Sequence, residues 1–328
     1  SHLKNLVYQS RPGFWVAANL YLPEKQRENI PSIIIIPSHH YPKTQGELKD
    51  CGIIWARTGC AVLILETLNY GERIETTPWY RQSYESEYLI EMNLNLIGQS
   101  RLGWMVWDTK RAVDLLYTLD NIDRDRITLI GSVTWGGGPP AALTGIFEER
   151  LDAVIPFNYG RVYWQGWRIR NGLSNKITPW FIYNADAPRK FIYAHEFGWE
   201  GDEGPSYPSV WVPAWPRYRK VYSLYEAEQN LATTQGYGLL RAGPASHCWS
   251  LGAAQRKPIY NVLNQWFDIP LPSEGEINNP RKAIKRIPDS NLTCITPEVS
   301  SRLNRKALHE IIRGKAINIL KSARGNRL

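Results

Sequence analysis

The chemistry this chain could perform is concentrated in one glycine-rich junction and in six histidines, His2, His39, His40, His195, His247 and His309. The junction reads Arg126-Ile-Thr-Leu-Ile-Gly-Ser-Val-Thr-Trp-Gly-Gly-Gly-Pro-Pro. An apolar run suited to a buried strand ends there and glycines follow at once. Pro139 and Pro140 then fit only the first turn of a helix. A strand that turns sharply into a helix is the context of a nucleophile elbow, which lifts a hydroxyl above a sheet and wants small residues two before, two after and three after it. Thr134 in that role puts Ser132, Gly136 and Gly137 in the small slots. Ser132 in that role would force Trp135 into one of them. Thr134 is therefore the preferred nucleophile and Ser132 the alternative. The third reading is an ordinary turn that has lost its nucleophile, because the extra methyl of threonine restricts χ1 and crowds such a turn.

The elements that must carry this junction follow from hydrophobic patterning. Residues 6–22 predict two strands around Arg11-Pro12-Gly13, a hairpin. Ile33–Ile36, Ala61–Leu65, Ile127–Val133, Leu151–Pro156 and Phe191–His195 are short apolar runs suited to strands buried on both faces, with a shorter one at Leu231–Thr234. Helical stretches are expected over about 45–58, within 87–119 as one long pattern, and over 136–149, 215–225 and 255–267. Alternating buried strands and helices imply an α/β fold with a mainly parallel central sheet and helices on both faces. The expected organisation is a body over 1–268, a Pro/Asn/Ser-rich linker or strap over 269–303, and a basic amphipathic C-terminal helix over 304–328. In that helix Leu308, Ile311, Ile312, Ala316, Ile319 and Leu320 share one face.

The net charge of +8 looks like a clue to an anionic partner, but it is unevenly placed. Residues 281–328 hold 12 basic and 3 acidic side chains, and the other 280 residues hold 27 and 28. The body is near neutral, so nucleic acid is not an expected partner. No apolar run approaches the roughly 20 residues of a membrane span. The four cysteines have no metal-ligand spacing, and adjacent His39 and His40 would point to opposite faces of a strand, so neither set predicts a metal site. Gly136-Gly137-Gly138 lacks the Lys-Ser/Thr of a phosphate loop. No cofactor is expected. The 14 tryptophans suit either an aromatic core or a cleft with stacking platforms. Ser1-His2 looks like a cloning remnant, which leaves localisation open, secretion or the periplasm included.

Over residues 15–270 the chain resembles the α/β-hydrolase superfamily, and within it the acetyl-xylan-esterase-like and dienelactone-hydrolase-like group. Five segments in order carry the resemblance: Ile33–His40, Leu63–Glu72 (LILETLNYGE), Leu94–Leu116, Ala187-Pro-Arg-Lys-Phe-Ile-Tyr, and Ser246-His247-Cys248 before a helix ending Gln265-Trp266-Phe267. The resemblance implies an α/β-hydrolase fold and a nucleophile–His–acid triad. It places the catalytic base at His247 and the oxyanion loop at His39 and His40, with the amide of Trp135 as the second donor. It places the acid in the loop after Phe191–His195, where Glu200 is preferred over Asp202, with Glu196 a third option. The group uses serine where this junction has threonine. The expected function is an esterase acting on an acylated carbohydrate or small ester. The alternative is a catalytically degenerate hydrolase that binds a ligand without turnover. A further domain or a homo-oligomer is a possible partner.

Overall fold

The computed structural model describes residues 2–25, 27–38, 42–75, 84–132, 136–157, 179–195, 214–235 and 251–325. Eight strands form one sheet: β1 (His2–Arg11), β2 (Phe14–Leu22), β3 (Ile30–Ile36), β4 (Ala61–Leu65), β5 (Ile122–Gly131), β6 (Ala153–Pro156), β7 (Lys190–His195) and β8 (Leu231–Gln235). Their order is β1-β2-β4-β3-β5-β6-β7-β8. The β1–β2 hairpin turns at Gly13, whose φ of +78° suits glycine. Only β2 is reversed: it pairs antiparallel with β1 and with β4, and strands β3 to β8 pair parallel throughout.

Side chains alternate across each strand, which creates two cores. Ile34, Leu63, Leu129, Val154 and Phe191 pack beneath α3 (Arg101–Tyr117), α4 (Gly138–Phe147) and α6 (Ala214–Leu224). Ile33, Ile35, Ile64, Ile130 and Ile155 pack beneath α1 (Gly46–Arg57) and α7 (Ala253–Phe267). The unbroken apolar runs are thus strands covered on both sides.

Three details differ from the sequence-based expectation. The pattern over 87–119 is two helices, α2 (Tyr84–Asn95) and α3. Gly98 at φ +70° turns the chain, and the Ser100 hydroxyl caps α3 by accepting from the Gly103 amide at 3.0 Å. Between 269 and 303 the chain forms α8 (Glu274–Asn278), α9 (Pro280–Ala283), a 3-10 turn and α10 (Pro297–Arg302), each too short to show a period. In α11 (Leu308–Gly325), Leu308 is buried and Ile311, Ile312 and Ala316 pack on the first core. Ile319 and Leu320 are exposed instead, at 51% and 58%.

Residues 286–295 are pinned across α1 and the hairpin by polar contacts. Arg286 forms a two-pronged pair with buried Asp50 at 2.8 and 2.7 Å. Lys49 reaches Asp289 and the Ile287 carbonyl. The Asn5 amide donates to the carbonyls of Asn291 and Thr293 at 2.9 and 3.1 Å, and Asn19 donates to that of Leu292.

Candidate active site at the strand carboxyl ends

The strand order reverses at β3: β4 lies on one side of it and β5 on the other. In open parallel sheets the crevice at such a switch point, outside the carboxyl ends, is where ligands bind. Here that crevice lies between Ile36 at the end of β3 and Gly131 at the end of β5.

The backbone is unusually close at this point. The Ser132 amide donates to the Ile36 carbonyl at 3.0 Å, and the Gly137 amide donates to the Ser132 carbonyl at 2.9 Å. The chain therefore leaves β5 and returns within five residues to begin α4. A Cβ on Gly131 would overlap the Gly137 carbonyl and the Ala141 side chain. A Cβ on Gly137 would overlap the Ile36 carbonyl and the Ser132 amide. Only glycine fits either position, so the sequence Gly131 to Gly137 encodes a tight strand–turn–helix junction.

Ser132 sits at the base of this turn, fully buried, and its hydroxyl has no hydrogen-bond partner among the described residues. Thr134 and Trp135 lie outside the described residues, as do His39, His40, Glu196, Glu200, Asp202 and His247. The described strands fix where those segments depart. Residues 39–41 follow the carboxyl end of β3, 133–135 that of β5, 196–213 that of β7 and 236–250 that of β8. Every candidate thus belongs to a segment leaving the same edge of the sheet. His195 is the last residue of β7, paired in register with Gln235.

Sequence reasoning missed a buried ionic cluster beside this edge. Glu66 follows β4 directly and is 1% exposed, as is Lys43, in the loop after β3. Glu66 accepts from the Lys43 amide at 3.0 Å, and the Lys43 ammonium is 3.7 Å away. That ammonium also binds Glu72 at 2.6 Å and the Leu292 carbonyl at 2.9 Å. Glu72 in turn accepts from the amides of Cys294 and Ile295 at 2.8 and 2.6 Å. Burial pushes the Glu66 carboxyl up to about 7, against the pull of Lys43. Burial pulls Lys43 down, but Glu66 and then Cys294 and Glu72 outweigh it, so its pKa is raised. The left-handed Gly71 (φ +51°) makes room, because a Cβ there would overlap the Glu66 carboxylate. Arg73 extends the cluster to Asp108 at 2.8 Å, which Arg11 also binds at 2.8 Å. The cluster holds the loop after β3 in place from below and ties it to the 286–295 segment. Its only sequence signal was the Gly71-Glu72 pair.

Cys51, Cys60 and Cys294 are buried free thiols, each pushed up to about 12 chiefly by burial, and so poor nucleophiles. Among the described residues no helix is long and apolar enough to cross a membrane.

No family model and no curated protein matches the sequence. Solved structures do match in shape. Methylesterase BT1017 superposes with a TM-score of 0.68 at 18% identity, covering 98% of this chain and 67% of its own. A Bacteroides fragilis structure assigned as an acetyl xylan esterase gives 0.54 at 17% identity, covering 71% of this chain and 66% of its own. The chain has the α/β-hydrolase fold. A carbohydrate esterase family 15 glucuronoyl esterase from Caldicellulosiruptor kristjansonii shares this α/β-hydrolase fold, with a TM-score of 0.50 at 14% identity over 90% of this chain and 84% of its own. The chain spans about two thirds of the length of the first two structures.

Proposed function

We propose that this chain is a carboxylic ester hydrolase acting on an acylated carbohydrate or similar small ester, with Thr134 as nucleophile. The observation that carries this reading is the glycine-locked junction between Gly131 and Gly137 at the switch point of an α/β-hydrolase fold. Thr134 is the middle residue of the span between those two glycines. The esterase names of the structural neighbours support the same class.

In this reading His247 takes the Thr134 hydroxyl proton as the oxygen attacks the acyl carbon, then gives it to the departing alcohol. Water deprotonated by His247 attacks the acyl-enzyme, the acid leaves and Thr134 is restored. Glu200, ahead of Asp202, holds the imidazole and stabilises its cation. The Trp135 amide and a backbone donor near His39 or His40 stabilise the oxyanion. Ser132 is the weaker nucleophile because it is wholly buried at the base of the turn. A secreted or periplasmic setting suits such a substrate.

A second reading is binding without turnover. The crowding at Gly131 and Gly137 favours it, since a β-branched side chain has little rotamer freedom in so tight a turn. Hydrolysis of p-nitrophenyl acetate separates the two. The esterase reading expects turnover that Thr134→Ala and His247→Ala abolish and Thr134→Ser raises. No turnover by either the native chain or Thr134→Ser, with saturable ligand binding retained, favours the second.

A further inference from the structure

A groove of about 870 Å³ lies between α11, the β1–β2 turn and the α2–α3 connection. Its lining includes Arg11, Gln99, Trp107, Lys306, Gly314 and Lys315. The β1–β2 turn projects past the carboxyl end of β4, because Ala18 pairs with Leu65. The groove therefore opens on the same edge of the sheet as the Gly131–Gly137 junction. It is four strands away from that junction, roughly 19 Å at the usual strand spacing.

Three features of the groove are unexplained by packing among the described residues. The first is charge. Lys315 is half-buried and has no acidic partner among the described residues; its ammonium meets only Gln99 Oε1 at 3.3 Å and the face of Trp104 at 5.5 Å. Arg11 is already engaged with Asp108 at 2.8 Å, and Glu310 accepts from the Ala307 amide. Burial, and then the Arg11 guanidinium, hold Lys315 below its ordinary pKa. An anion in the groove would relieve both effects. The second is an aromatic surface. Trp107 is 44% exposed, yet its indole N–H donates to the Ser10 carbonyl at 2.7 Å, which fixes the ring. The third is Gly314, inside α11. A Cβ there would meet nothing within 4 Å. A helix-interior glycine costs about 1 kcal/mol relative to alanine. No contact among the described residues requires that loss, but a side chain at this position would stand in the groove.

We propose that this groove binds an acidic saccharide, with a carboxylate on Lys315 and a sugar face laid on Trp107. A charge-assisted bond on a partly desolvated ammonium supplies the anion preference. The fixed indole supplies a flat apolar face at little entropic cost. Gln99, Ser100 and Asn318 offer hydrogen bonds to ring hydroxyls. The inference concerns binding and stands whether or not the elbow turns over an ester.

Calorimetric titration of the full chain with a galacturonic acid hexamer, with cellohexaose and with polyglutamate tests this. The acidic hexamer should bind, and cellohexaose should bind at least about tenfold more weakly. Lys315→Ala and Trp107→Ala should each weaken the acidic hexamer by about tenfold or more. Gly314→Leu should keep or raise the melting temperature and abolish binding, which separates a filled groove from a misfolded chain. Equal affinity for cellohexaose, no binding of the acidic hexamer, or a Gly314→Leu variant that still binds would each overturn the proposal. So would polyglutamate binding that is as tight and survives Trp107→Ala.

Discussion

Glu66 and Asp186 are buried carboxyls at opposite ends of the sheet, and burial pushes each up to about 7. Glu66 follows the carboxyl end of β4 and accepts from the Lys43 amide, with the Lys43 ammonium close by. Asp186 precedes the amino end of β7; it pairs with Arg189 at 2.9 Å, and its other oxygen has no partner among the described residues. Both are 5% exposed or less. Different sets of partners arrive at the same proton affinity because desolvation outweighs pairing in both places. A perturbed carboxyl therefore does not by itself locate a site. Position does: Glu66 supports the loop after β3, which borders the switch-point crevice, whereas Asp186 packs against Gly145 of α4.

The contrast can be attacked first at the cations. Lys43→Met leaves buried Glu66 and half-buried Glu72 without their shared ammonium, and should lower unfolding stability by about 3–5 kcal/mol. Arg189→Met removes one partner from Asp186 and should cost less, about 1–3 kcal/mol. Urea unfolding of the two variants measures the difference; equal losses would erase the distinction between the regions.

The carboxyls sharpen it next. Each holds a proton in the folded state up to pH about 7, whereas the unfolded chain releases it near pH 4. The folded protein is thus the more protonated form across this window. Stability from these groups is full below it and falls as pH rises toward 7, by on the order of 3 kcal/mol each. Glu66→Gln and Asp186→Asn should each flatten melting temperature against pH over that range. Only Glu66→Gln should also change the pH profile of ester turnover, measured as kcat/KM. Matching turnover profiles for the two variants would break the link between Glu66 and the site. The smallest effect is expected at the helix break: Ser100→Ala should cost about 1 kcal/mol by urea unfolding, through loss of the α3 cap.

Much of the fold was legible because it rests on local signals. The runs Ile33–Ile36 and Ala61–Leu65 are apolar on both faces and are strands. The tight junction between β5 and α4 was legible because Gly131 and Gly137 are required by backbone overlap, which leaves its mark in the sequence. The α2–α3 break was also signalled, by Gly98 and Ser100, but apolar periodicity continues across it. The Lys43–Glu66–Glu72 cluster had almost no signal. Its members are brought together by β3–β4 pairing and by a segment some 250 residues further on, so Lys43 reads as a surface lysine until the fold buries it. Glu200 and Asp202 lie outside the described residues, and no sequence period distinguishes one from the other.

The bonds from Asn5 to Asn291 and Thr293 span 286 and 288 positions, and Lys306 donates its amide to the Gly13 carbonyl. They bind the hairpin to residues nearly 300 positions further along the chain. At about 5–20 residues per second of synthesis, that hairpin waits roughly 15–55 s for its partners. Throughout that interval the hairpin lacks these bonds, and β1, the outermost strand of the sheet, is of the kind on which other chains can pair. The segment that steadies the hairpin in the finished molecule is thus missing while the hairpin is being made, so sequence separation alone sets how long the two wait for each other.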